Sequence, residues 1–123
     1  MNVALWIVQI LLTVAFLGAG AMKLLQPKEK VAASMAWAES FSPTAIKLIG
    51  LVEVLGALGL VLPALTGIAP ILTPLAATGL ALVMVGAVVT HARRDENQMI
   101  GANVVLLLLA AFVAWGRFGP YAF

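Results

Sequence analysis

Four polar side chains stand inside or at the ends of long apolar runs of this 123-residue chain: Lys23, Glu53, His91 and Asn103. An ammonium, a carboxylate, an imidazole and an amide in such places hydrogen-bond a ligand or a partner, and the carboxylate and imidazole also accept and pass on a proton. Glu53 is the centre of the set. It is the one charge between Lys47 and Pro63, in a glycine-studded stretch long enough to lie in a bilayer. A charge near the middle of the hydrocarbon costs at least roughly 2.5 kcal/mol on insertion scales, so it faces protein or a water-filled cavity. Lys23 and His91 lie at comparable depth and are its candidate partners. For Glu53 two readings stand side by side: a ligand-binding or proton-accepting group, or half of a structural ion pair. Lys23 either turns into the pocket or runs its stem out to the headgroups. His91 either joins the pocket or anchors the end of its helix, and Asn103 is expected to hydrogen-bond between helices.

The elements that must position these groups follow from composition. Sixty-three per cent of the residues are hydrophobic and 10 per cent charged, against about a quarter charged in soluble domains. The expected fold is all-α, an integral membrane four-helix bundle running up and down, as one transmembrane domain over residues 1–123. Its spans are predicted at about 2–25, 44–62, 71–92 and 99–115, each close to the roughly 20 residues a bilayer requires. The first apolar run has no preceding Lys or Arg and is longer than a signal-peptide core, so it reads as a span although Gly18-Ala-Gly-Ala21 resembles a cleavage site. Between the first two spans, Pro27 and the spacing of Val31, Met35 and Ala38 predict a short interfacial helix. Ser42-Pro43 is a helix start, and Pro63 is expected to end the second span. Trp6, Trp37 and Trp115 are expected as interfacial anchors. Gly18 and Gly20 in the first span, Gly50, Gly56 and Gly59 in the second, and Gly79 and Gly86 in the third are expected to admit close helix packing.

Several chemistries are excluded. The chain has no cysteine and a single histidine, which removes dithiol chemistry, thiolate-held metals and a two-histidine centre within one chain. There is no Ser/His/Asp set in a nucleophile elbow, no phosphate-binding glycine loop with lysine, and no pair of carboxylates on facing spans. Gly18-x-Gly20 lacks the strand and third glycine of a dinucleotide fingerprint. The net charge of +2 is accounted for by topology rather than by a nucleic-acid partner. Lys23, Lys28, Lys30, Lys47, Arg93 and Arg94 gather at one side and only Arg117 at the other, which predicts both termini outside the cytoplasm.

The pieces Phe16-Leu-Gly-Ala-Gly-Ala-Met-Lys-Leu24, Gly50-Leu-Val-Glu-Val-Leu-Gly-Ala-Leu-Gly-Leu60 with Pro63, and Met84 with His91 resemble, in order and spacing, the DoxX-like family of small four-helix membrane proteins. The resemblance covers nearly the whole chain and puts the family's polar positions on Lys23, Glu53 and His91. Similar proteins include a small subunit of a thiosulfate:quinone oxidoreductase and an animal receptor chaperone. The resemblance therefore implies a non-enzymatic accessory or chaperone-like subunit that binds a partner's transmembrane segment through a polar cavity. The alternative is a quinone-binding subunit of an oxidoreductase complex. No metal and no resident cofactor is expected, a quinone being the ligand the alternative would bring. The expected surroundings are the lipid bilayer of a bacterial inner membrane and other membrane proteins, with a homo-oligomer left open.

Overall fold

A computed structural model of the chain describes residues 2–34 and 41–122. Five helices follow in order: α1 Asn2–Leu25, α2 Lys28–Ser34, α3 Pro43–Thr66, α4 Leu72–Arg93 and α5 Asn97–Phe118. The described residues contain no strand. The four long helices each have the length and apolar character to cross a membrane, and they pack as an all-α up-and-down bundle. Its neighbours are α1 with α3, α3 with α4, α4 with α5, and α5 with α1.

The buried residues of α1 are Leu5, Gln9, Leu12, Phe16, Gly20 and Lys23, and those of α3 are Ile46, Gly50, Glu53, Ala57, Leu60 and Pro63. They recur at three- and four-residue intervals, so each helix turns one narrow stripe inward. The outward stripes are apolar as well, with Val3, Ile7, Leu11 and Val14 on α1 and Leu48, Leu55 and Leu62 on α3 all exposed. A soluble bundle would carry polar residues there; this pattern suits a lipid surround. In lipid the helices gain nothing from water exclusion, and close packing and hydrogen bonds between them hold the bundle together.

Side-chain contacts fix the register of α1 and α3 as antiparallel. Gln9 lies opposite Leu60, Thr13 opposite Ala57, Gly20 opposite Gly50, and Leu24 opposite Lys47. Gly20 and Gly50 make the close crossing: a Cβ on Gly20 would lie 2.7 Å from the Gly50 carbonyl oxygen, and one on Gly50 would lie 2.8 Å from that of Gly20. Gly56 and Gly59 face the other way, against Leu80 and Ala76 of α4. Gly18, Gly79 and Gly86 depart from the expectation of close packing. A Cβ at any of the three would meet nothing within 4 Å, so among the described residues none of them is a point of close helix contact.

The helix ends largely follow their local chemistry. Ser42 caps α3, its Oγ accepting the Ala45 N–H at 3.1 Å, with Pro43 at the first position. Pro63 was expected to end this helix, but it lies inside it. The chain continues to Thr66 and stops at Gly67, whose φ of +72° is the left-handed conformation glycine adopts without strain, and whose N–H donates to the Pro63 carbonyl. The short helix predicted after α1 is α2. It is anchored by Val31, which is buried against Ile46 with Phe41 packed alongside. Met35, Trp37 and Ala38 lie outside the described residues. Lys47 Nζ of α3 donates to the Leu24 carbonyl at 2.9 Å, placing a cation on the negative end of α1.

Candidate functional site

Lys23 and Glu53 form an ion pair inside the bundle. Lys23 Nζ donates to Glu53 Oε1 at 2.5 Å, and the two residues are 5 and 2 per cent exposed. Of the two courses open to Lys23, the structure shows the inward one. The local geometry explains why. Each side chain of a helix leans toward that helix's own N-terminus. In an antiparallel pair, Lys23 and Glu53 therefore lean toward each other across the Gly20–Gly50 crossing.

This pair forms one wall of a cavity of about 390 Å³ that draws on all four long helices and is partly open to the outside of the bundle. Phe16 and Ala19 of α1, Ile49 of α3, Met84 and Ala87 of α4 and Leu106 of α5 supply an apolar lining. Gly86, Thr90, His91 and Asn103 complete it from α4 and α5, with Phe41 from the segment before α3. The missing Cβ of Gly86 thus contributes room within the cavity rather than helix packing.

The four polar residues singled out from the sequence all line this one cavity, but they are not all bonded together. His91 is buried, and its Nδ1 lies 3.1 Å from Glu96 Oε1, the same oxygen that accepts Arg94 Nε at 3.1 Å. It is thereby tied to the α4–α5 hairpin rather than to the Lys23–Glu53 pair. Asn103 departs from the expectation of a hydrogen bond between helices. It is 9 per cent exposed, and its Nδ2 reaches no acceptor among the described residues. Burying an amide without a partner is costly, and this nitrogen is itself closed off from the cavity, with under 1 Å² of accessible surface.

A second polar network, which the sequence reading passed over, occupies the other end of the bundle. Arg117 is 3 per cent exposed; its Nε donates to Gln9 Oε1 at 2.8 Å, and its Nη1 donates to Asn2 Oδ1 at 2.6 Å and to the Tyr121 carbonyl at 2.9 Å. Gln9 Nε2 in turn donates to the Leu60 carbonyl at 2.7 Å. The guanidinium also sits over the Trp6 ring, 5.7 Å from its centroid, a cation–π arrangement. With Leu5 packed on Gly116, this network joins α1 to α5. Trp115, by contrast, is exposed, stacking on Phe112 and meeting Tyr121 edge-on. Two signals in the sequence pointed to the network. Up-and-down topology brings the start of α1 and the end of α5 to the same side, and Gln9 is an amide set within the apolar run there.

Among the described residues, no group of three or more His, Cys, Asp or Glu is placed to hold a metal ion. The site offers one satisfied ion pair beside an apolar chamber, which is equipment for binding. A family model described as the DoxX-like family matches residues 7–113, a range that includes the cavity's polar residues and leaves Arg117 outside. No curated protein and no solved structure matches the chain.

Proposed function

The chain belongs to the DoxX-like family, and from that premise we propose that this multi-pass membrane protein acts as a non-enzymatic accessory or chaperone-like subunit. It binds a partner's transmembrane segment, receiving a polar group of that segment in the cavity beside Lys23 and Glu53. The observation that carries this reading is the buried Lys23–Glu53 pair on the wall of a cavity partly open to the outside of the bundle. Ionisable groups kept inside a membrane domain are by default functional, and an interhelical hydrogen bond in lipid contributes about 1–2 kcal/mol. On this reading the protein sits in a bacterial inner membrane; that both termini lie outside the cytoplasm is supported by the basic residues gathered around α2 and the α4–α5 hairpin. The test is photo-crosslinking in membranes from Met99, which is exposed and lines the cavity. A specific partner chain captured from the wild-type background and lost in the Lys23→Met/Glu53→Gln double variant is the expected result. A capture pattern unchanged by the double variant rejects the reading.

The second reading is a quinone-binding subunit of an oxidoreductase complex, favoured by one observation. The cavity's volume and apolar lining fall in the range of small-molecule sites, about 300–1,000 Å³. A quinone would lie in that chamber beside the Lys23–Glu53 pair, and the electrons would travel on another chain.

A further inference from the structure

We infer that His91 is the ligand-recognition residue of the cavity, its Nε2 accepting a hydrogen bond from the hydroxyl of an uncharged, apolar-bodied molecule. The inference rests on reading the cavity as the binding site and adds the class of ligand. His91 lines the chamber and is buried, yet only one of its ring nitrogens is engaged. Nδ1 lies 3.1 Å from Glu96 Oε1; a carboxylate accepts, so Nδ1 carries the proton and the neutral ring keeps its lone pair on Nε2. Arg94 Nε, on the same Glu96 oxygen at 3.1 Å, holds that carboxylate in place. Nε2 bonds nothing among the described residues and, unlike Asn103 Nδ2, is not closed off from access. Other polar groups of the wall are committed. Thr90 Oγ1 donates to the Gly86 carbonyl at 2.9 Å, and Lys23 and Glu53 neutralise each other at 2.5 Å, so that pair gives a charged ligand no net attraction. Phe16, Met84, Ala87 and Leu106 line the remainder, so the body of the ligand is apolar. A lone pair in such a chamber calls for a donor, and it discriminates against the analogue lacking one, because the nitrogen is then left unsatisfied. The hydroxyl comes either from a free lipophilic alcohol or phenol or from the glycerol of a bilayer lipid.

The test uses the full chain in phosphatidylcholine nanodiscs, whose lipid carries no hydroxyl, at about pH 8, where imidazole is neutral and a phenol keeps its proton. The probes are 2-naphthol and 2-fluoronaphthalene, close in shape and differing in the donor. Binding is read by ligand-observed NMR, corrected for partition into empty discs. Because the chain has a single histidine, isotope labelling of histidine nitrogen reads the two nitrogens of this ring directly. Wild type is expected to bind the naphthol about fivefold more tightly than the fluoro analogue, the effect of roughly one hydrogen bond, and the naphthol alone is expected to shift the unprotonated Nε2 resonance. His91→Phe, which keeps a ring without the lone pair, is expected to bind the two about equally; should it fail to fold, the Nε2 shift in wild type decides. Glu96→Leu removes the acceptor that fixes the tautomer, so the preference is expected to fall and both tautomers to appear in the nitrogen spectrum. Ala87→Phe, which fills the chamber, is expected to bind neither probe. Dioleoylglycerol added to the discs displaces the naphthol if a lipid glycerol is the source and leaves it bound if the source is a free compound. Equal binding of both probes to wild type, a preference that survives His91→Phe, or a ring protonated on both nitrogens overturns the ligand class and leaves the cavity as a binding site. If neither probe binds wild type, the inference fails together with the reading of this cavity as a small-molecule site. The crosslinking test of a protein partner is untouched by that outcome.

Discussion

Gly20 on α1 and Gly50 on α3 meet backbone to backbone, and each stands three residues before one member of the Lys23–Glu53 pair. The crossing and the ion pair are one construction. Glycine at both positions lets the antiparallel helices approach until side chains one turn further along each helix lean into reach of each other.

That construction makes the crossing intolerant of any Cβ. Gly20→Val forces backbone against backbone, and a loss of about 1–3 kcal/mol is expected, as for other overpacked cores. Gly18→Ala is the control, since its Cβ meets nothing within 4 Å and alanine favours the helix by roughly 0.5–1 kcal/mol. Thermal unfolding in detergent checks both: a lowered midpoint for Gly20→Val beside an unchanged or raised one for Gly18→Ala.

The ion pair is expected to behave as a unit. Lys23→Met or Glu53→Gln alone leaves a buried group without its counter-charge, and a cost of about 3–5 kcal/mol is typical for breaking such pairs. The double variant removes both charges and should recover most of that loss. A double-mutant cycle of unfolding midpoints measures it, and simple additivity of the two single losses would show that the pair is not coupled.

At the opposite end, Arg117 joins α5 to α1 through Gln9, Asn2 and the ring of Trp6. Arg117→Lys keeps the charge but loses the planar fork that reaches these groups together, so it is not a conservative change here. Arg117→Lys and Gln9→Leu are each expected to cost about 1–3 kcal/mol by leaving buried polar groups unpaired. Cysteine crosslinking between positions 5 and 116 should slow in both variants if the joint loosens.

Asn103→Leu is expected to act in the other direction. Exchanging a buried, unpartnered amide for an apolar side chain of similar size should stabilise the protein without ligand by about 1 kcal/mol. A raised unfolding midpoint checks this; a lowered one would mean that the amide has a structural partner.

How much of this was legible in the sequence depended on whether a signal was carried by type or by direction. Four spans, the α2 helix and the α3 start were readable because hydropathy and proline position are properties of residue type and order. Glu53 and Lys23 were readable because a charge in an apolar run requires a partner at its own depth. The direction in which a side chain points was not readable. Gly79 and Gly86 share a heptad spacing yet have open space where a Cβ would stand, whereas Gly20 and Gly50 meet backbone. That Asn103 Nδ2 is buried without an acceptor among the described residues depends on packing, which residue type does not encode. Arg117 was read as a topological charge, because its partners are two amides at the far end of the sequence, Asn2 and Gln9, and the backbone carbonyl of Tyr121. Pro63 was taken for a terminus because proline usually breaks a helix, and here the helix runs one more turn past it.

The central claim is that the Lys23–Glu53 cavity engages a partner in the membrane, and native mass spectrometry of the detergent-released protein, wild type beside Glu53→Gln, tests it most directly by weighing partner chains and small adducts together. The account predicts a partner chain on wild type that is absent from the folded variant. The same partners and adducts on both proteins would contradict it and leave Glu53 a structural residue.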